Sequence, residues 1–201
     1  MKPLRVLVPA VLALATVLQA AEATAAGREV AVFGGGCYWT LQKDFERIPG
    51  VMGVRAGYDG GDKPTASFAE IHTPKGDGYV EAVQVSFDPS KVSYAQLVED
   101  YYRMIDPFDA LGQACDRGPA YKPIIFVGSP EQRKTAGDVT AALNAKFQDK
   151  VIVAIEEVKP FKAAPPDQQD FAKHYAANYE QYSAGCGRDT RLKRIWGTEA
   201  R

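Results

Sequence analysis

Cys37 follows Gly34, Gly35 and Gly36 and precedes Tyr38 and Trp39 in the stretch VFGGGCYWTLQKDF (32–45). Glycines beside a cysteine do nothing for a core; they strip side chains from a short piece of backbone that something must approach closely. The flanking pattern predicts a strand over 28–33, a glycine turn, and a helix from Tyr38 to about Arg47, stopped by Pro49-Gly50. Cys37 then sits at a helix N-terminus, where unpaired backbone N–H groups favour an anion by about 0.3–1 kcal/mol, at most about 2. Burial by Tyr38 and Trp39 pushes the thiol the other way. A moderately reactive nucleophile is expected, needing help from substrate or an acid. The bland alternative is a small residue at a helix start. A phosphate-cradling loop is the weaker rival, since the Gly-Lys-Ser/Thr ending is missing.

A second anomaly lies in YVEAVQVSF (79–87), which alternates with period two. One face carries Tyr79, Glu81, Val83, Val85 and Phe87; the other carries Val80, Ala82, Gln84 and Ser86. Glu81 thus falls on the more apolar face, where a carboxyl is either paired or holds its proton. A salt bridge or a strand end reaching solvent is the plain reading. A protonated Glu81 would instead be a proton donor to a developing oxyanion. Thiolate plus neutral acid suits reduction of a polar X=O bond, whereas a cysteine hydrolase wants a histidine base. Nothing in the sequence places His174 for that role.

These residues need elements to position them. Beyond the first strand and helix, the pattern predicts strands over 51–58, 79–87, 120–127 and 151–158 and a long loop over 62–78. Pro123 suggests an edge strand or an irregular start. Ser93 with Gln96 makes a capping box for a helix over 94–105, and Ser129-Pro130 with Gln132 opens another to about Phe147. Asp167 is expected to cap a helix whose Phe171, Tyr175, Tyr179 and Tyr182 form a packing stripe, and Asp189 to cap a last helix through Trp196. Several strands follow one another without helices between, so the expected fold is an α/β two-layer sandwich around a mixed sheet.

The chain has 201 residues, enough for one domain with a real core. Lys2 and Arg5, an apolar run over 6–18 and the small residues AAEATAA read as a secretory signal peptide over 1–25, with a single domain over 26–201. An uncleaved anchor is the alternative. Removing 1–25, which carry Lys2, Arg5 and Glu22, takes the formal net charge from −1 to −2. With no basic run, nucleic acid is not a partner such a chain implies. Cys37, Cys115 and Cys186 are an odd set, read as one pair plus a free thiol or as a pair formed only during turnover. No CxxC is present, and His72 and His174 lie far from the cysteines, so no metal site is expected.

With Cys37 and Glu81 in place, nearly the whole chain after residue 25 resembles the peptide methionine sulfoxide reductases of the A type. GGGCYW (34–39) is similar to that family's GCFW, GYDGG (57–61) to GYAGG, and GYVEAVQVSFDP (78–89) to its GHAEVVRVVYDP-like strand. IDPF (105–108) resembles HDPT, QACDRGPAYKPIIF (113–126) resembles QGNDxGxQYRSxIF, and FAKHYAANY (171–179) resembles EDYHQQY. The resemblance implies a ferredoxin-like fold and reduction of the S epimer of methionine sulfoxide, free or in protein. It implies that Cys37 attacks the sulfur, Glu81 protonates the oxygen, Tyr58 and Tyr121 hydrogen-bond it, Asp116 orients the site, and Tyr38 and Trp39 wall in the methyl group. Departures are Tyr79-Val80 for His-Ala, Lys122-Pro123 for Arg-Ser, Ala114-Cys115 for Gly-Asn, and Thr40 for a small residue.

Recycling a sulfenic acid needs a second thiol. Cys186 lies in SAGCGRDTRLKRIWG (183–197), similar to the C-terminal tail of some family members, with a glycine on each side to let it swing. Cys186 is the expected resolving residue, through a Cys37–Cys186 disulfide, and Cys115 its rival. The resemblance further implies no bound cofactor, an external thioredoxin-like dithiol reductant, and oxidised proteins and free methionine sulfoxide as partners. The signal pattern leads to the expectation of an exported protein in the bacterial periplasm, and a monomer is expected. A non-catalytic methionine-binding module and a thiol peroxidase are the competing classes.

Overall fold

The structure is a computed structural model and describes residues 27–63, 68–73, 76–148 and 151–201. The expected signal segment over 1–25 lies outside the described residues. Strand β1 (Glu29–Gly34) leads into helix α1 (Tyr38–Phe45), then β2 (Val51–Asp59), the short α2 (Phe68–Ile71), β3 (Val80–Phe87) and α3 (Tyr94–Arg103). A two-residue ladder, β4 (Gly112–Gln113) and β5 (Asp116–Arg117), precedes β6 (Ile124–Val127) and the long α4 (Pro130–Phe147). The chain ends with β7 (Ala154–Glu157), β8 (Lys162–Ala163), α5 (Phe171–His174), α6 (Ala176–Cys186) and α7 (Arg188–Trp196).

The main sheet has the order β7-β6-β1-β3-β2-β8. All its neighbours are antiparallel except β6 and β7, which run parallel and are joined across α4. The sheet is mixed and the architecture α/β, as the sequence implies. The larger core lies on the face lined by Phe33, Val83, Val85 and Phe87, and a smaller cluster of Val32, Val80, Ala82, Ile124 and Phe126 lies on the other. Period-two alternation in β3 separates these two sets and leaves Glu81 among the first.

The elements around Cys37 are held by aromatic packing. Phe33 of β1 stacks on Phe45 of α1 and on Tyr101 of α3, with ring centres 4.9 and 5.0 Å apart. The Tyr101 hydroxyl donates to the Gly34 carbonyl at 2.6 Å and fixes the strand end from which the glycine turn leaves. α3 carries the expected capping box: Ser93 accepts from the Gln96 N–H while the Gln96 side chain accepts from the Ser93 N–H. Such caps are worth about 1 kcal/mol. α4 spans its expected range, with Ser129 accepting from the Gln132 N–H.

Some sequence expectations are corrected. Pro123 precedes β6, which lies between β1 and β7 and is not an edge, so it marks an irregular start. The strand expected over 151–158 is shorter, and the loop over 62–78 contains α2. Asp167 belongs to a 3-10 turn over Pro166–Gln168 and caps no α-helix. The aromatic stripe is not one helix, because the backbone at Tyr175 leaves helical geometry (φ −127°) between α5 and α6. Asp189 lies inside α7, whose cap is Gly187 in the left-handed region. Cys186 is therefore no free tail. It is the last residue of α6, and α7 is anchored by buried Leu192 and Trp196 and by Arg188–Asp44 and Arg191–Asp106 ion pairs at 2.9 and 2.6 Å.

Candidate active site

The glycine turn delivers Cys37 to the first position before α1, where its carbonyl accepts from the Thr40 and Leu41 N–H groups. Gly36 has φ +79°, and a Cβ there would lie 2.8 Å from the Gln113 Cβ. Only glycine lets this backbone pass so close to β4. The Gly36 N–H donates to the Tyr121 carbonyl at 3.0 Å, so the turn and the 118–121 segment are pinned together. Gln113 is itself clamped, accepting from the Asp106 N–H at 2.7 Å and donating to the Asp106 carbonyl at 2.9 Å.

Glu81 is 2 % exposed. Its Oε2 accepts from the Tyr38 backbone N–H at 2.9 Å, and its Oε1 faces His72 Nε2 at 2.8 Å. The acid therefore meets the residue directly after the nucleophile. Burial raises the Glu81 carboxyl above its ordinary value, against the opposing pull of His72 and the Tyr38 N–H. Tyr58 is the cross-strand partner of Glu81, and its hydroxyl lies 3.3 Å from that of Tyr38. Burial raises Tyr58 and Tyr121, and both phenols feel the charges of Glu81 and Cys37. Both stay neutral hydrogen-bond donors near neutral pH.

Cys37 is a buried free thiol. Burial pushes it well above its ordinary value, and Glu81 and Asp116 add to that; the Trp39 N–H and the Tyr182 hydroxyl pull back. The helix-start effect is present, and desolvation overrides it. Asp116 in turn accepts from the Tyr182 hydroxyl at 2.6 Å, is raised by burial, and is relieved by the Cys37 N–H. Tyr182 thus stands between nucleophile and Asp116. Its role is invisible in the sequence, where it belongs to a packing stripe. His72 is the other residue that sequence reasoning missed. Tyr175, from the same stripe, is exposed.

Tyr38 is buried, and Trp39 is half-buried with its indole stacked on Phe171 at 3.7 Å. Gln168 accepts from the Trp39 indole N–H at 3.1 Å. The two remaining cysteines form a Cys115–Cys186 disulfide. The structure therefore pairs Cys186 with Cys115 and not with Cys37. This disulfide adjoins the site, because Cys115 precedes Asp116 and Cys186 lies one helical turn beyond Tyr182.

Fold and site together define a thiol-and-acid centre on a mixed α/β sheet, with aromatic walls and a neighbouring cysteine pair. The family profile described as "Peptide methionine sulfoxide reductase" matches residues 29–200. The "Peptide methionine sulfoxide reductase MsrA 2" of Caulobacter vibrioides is 41% identical over 187 residues, covering 92% of this chain and 94% of that protein. The solved "Methionine sulfoxide reductase A of Corynebacterium diphtheriae" is similar with a TM-score of 0.66 at 25% identity, over 75% of this chain and 76% of that one. Mxr1 from Saccharomyces cerevisiae, solved in complex with Trx2, shares the fold with a TM-score of 0.52 at 17% identity, over 74% of this chain and 87% of that one. The chain belongs to the peptide methionine sulfoxide reductase family, in its MsrA branch. Its activity is that of a peptide-methionine (S)-S-oxide reductase.

Proposed function

We propose that Cys37 and Glu81 carry this reduction between them, the observation behind the proposal being the Glu81 carboxyl buried against the N–H that follows Cys37. The Cys37 thiolate attacks the sulfoxide sulfur while Glu81 gives a proton to the oxygen. The oxygen passes from the methionine sulfur to the Cys37 sulfur: the methionine S–O bond and the transient S–S bond break, an S–O bond to Cys37 forms, methionine leaves, and Cys37 is a sulfenic acid. The methionine sulfur is reduced by two electrons and the Cys37 sulfur oxidised by two. Tyr58 and Tyr121 donate to the oxygen, while Tyr38 and Trp39 enclose the methyl group. Asp116 orients the site, with Tyr182 between it and the thiol.

The Cys186 thiolate then attacks the sulfenic sulfur, and hydroxide leaves as water on taking a proton. Cys115 displaces Cys37 from the mixed disulfide, leaving the Cys115–Cys186 bond and a free Cys37. A thioredoxin-like dithiol reduces that bond, a reading supported by the Trx2 complex of the yeast protein. The thiols supply the electrons, so the cycle needs no bound cofactor. The pattern over 1–25 supports export to a bacterial periplasm. The test is methionine release without reductant for each sulfoxide epimer. The S epimer is expected to react, and a Cys37→Ser variant to release none; release from the R epimer alone, or undiminished release by the variant, sinks the reading.

A further inference from the structure

His72 directly follows α2, nine residues before Glu81, and its ring reaches Glu81 at 2.8 Å. Its side chain is 15 % exposed against 3 % for Glu81, and it lines a surface cleft with Arg117 and Tyr121. The imidazole is thus the link between a buried acid and solvent. The two oxygens of that acid are not equivalent. Oε2 lies on the side of Cys37, because it accepts from the Tyr38 N–H, and Oε1 lies on the side of His72.

We propose that His72 is the positioning and proton-supplying residue for Glu81, a role that rests on Glu81 being the acid of the sulfoxide reaction. With a proton on Nε2, His72 donates to Oε1. Oε1 then accepts from His72 and Oε2 from the Tyr38 N–H, and the acidic proton takes the remaining lone pair of Oε2, on the side of Cys37. When that proton leaves for the sulfoxide oxygen, the imidazolium gives another to Oε1 and refills from solvent, and a half-turn of the carboxyl group brings the new proton to the Cys37 side. Each cycle needs this twice when both thiols enter as thiolates. One proton goes to the oxygen that stays on Cys37, and a second leaves with that oxygen as water when Cys186 displaces it. A wholly buried carboxyl without a relay would be refilled only by opening of the site. Histidine is the side chain whose ordinary titration spans neutral pH, which suits it to both halves of the exchange.

The groups around this pair are Tyr121, whose ring packs on His72 at 5.4 Å, and Arg117 in the same cleft; Glu70 is the charged residue of the adjoining α2. On the inner side Glu81 meets Tyr38, Tyr58, Cys37 and Asp116. Tyr79 occupies the position two before Glu81 on the same face, so the histidine beside the acid comes from another segment.

The test is the rate of the second methionine released by the fully reduced chain without reductant, which needs Glu81 refilled, in wild type, His72→Gln and His72→Ala, with melting curves to check folding. Glutamine keeps a donor for Oε1 and cannot shuttle a proton. His72→Gln is expected within about twofold of wild type near pH 6 and about tenfold slower near pH 8, where solvent supplies few protons. His72→Ala is expected to be slow throughout and to recover with added imidazole. A glutamine variant that tracks wild type at every pH, or that is slowed equally at every pH, overturns the proposal. So does a wild-type rate that is the same in D2O and H2O, a measurement that needs no variant. Failure of the underlying reading looks different: Glu81→Gln would then keep wild-type activity.

Discussion

The Tyr38 backbone N–H donates to Glu81 Oε2 at 2.9 Å, which ties the start of α1 to the middle strand of the sheet at the residue beside the nucleophile. One contact therefore sets both the place of the acid and its distance from Cys37. Glu81→Gln keeps the shape and an acceptor for that N–H but has no proton to give. Sulfoxide reduction is expected to fall by about a hundredfold to ten-thousandfold in single-turnover assays. Stability should move the other way. Burial raises Glu81 above its ordinary 4.5, so the folded state holds the proton better than the unfolded chain. The favourable contribution of the protonated acid is complete below the unfolded value and is lost as pH rises toward the folded one. Glu81→Gln should thus melt above wild type at neutral pH, with the gap closing below about pH 4.5. Melting curves across pH check both directions.

Tyr182 donates to Asp116 and bears on the Cys37 sulfur, lowering a thiol that burial and two acids hold up. Tyr182→Phe removes that donor with little change of volume. Alkylation of Cys37 by iodoacetamide under non-reducing conditions, with the other cysteines in their disulfide, reads the thiolate directly. The hydroxyl has one proton and gives it to Asp116, so its pull on the thiolate is weaker than a full hydrogen bond to a charged group, worth about 1.5–3 kcal/mol, and alkylation near neutral pH should slow by less than about tenfold. The difference should shrink at high pH, where the thiol ionises unaided. An unchanged rate at neutral pH would remove Tyr182 from the site.

Local patterns made much of this arrangement legible in the sequence. The period of β3 puts Glu81 on the core face, Ser93 with Gln96 marks the start of α3, and three glycines before Cys37 mark the turn that needs them. What local pattern does not carry is contact between distant segments. His72 lies in a stretch with no periodicity, and only the folded path of the chain, with Ile71 of α2 buried in the core, brings it to Glu81. Tyr182 has the spacing of a packing residue and becomes part of the site because α6 folds back over α1. The same return buries Cys37, which is why desolvation overrides the helix-start effect on its thiol. A disulfide between residues 71 apart is equally absent from any spacing rule.

Glycine substitutions separate turn geometry from mere smallness. Gly36→Ala places a Cβ 2.8 Å from Gln113 in a left-handed conformation. A loss of about 1–3 kcal/mol is expected from the backbone strain, together with displacement of the Asp116 segment and loss of turnover. Gly137 lies inside α4, and a Cβ added there would meet nothing within 4 Å. At that position alanine should stabilise by about 1 kcal/mol, since glycine is a poor residue for a helix interior. Chemical denaturation of the two variants should therefore shift in opposite directions.

The Cys115–Cys186 bond predicts what a fully reduced chain does without an external reductant. The first turnover oxidises Cys37, Cys186 takes the oxidation from it, and Cys115 moves it on, which returns Cys37 to a thiol. Cys37 then reacts once more and stops as a sulfenic acid, because no third thiol remains to resolve it. About two methionines per chain are expected, with Cys115–Cys186 as the disulfide found by peptide mapping. Cys115→Ser should stop at about one methionine with a Cys37–Cys186 bond, and Cys186→Ser at about one with Cys37 as sulfenic acid. The two variants thus place the two thiols in order. A Cys37–Cys115 bond in the Cys186→Ser chain would reverse that order, since it would show Cys115 reaching the sulfenic sulfur first.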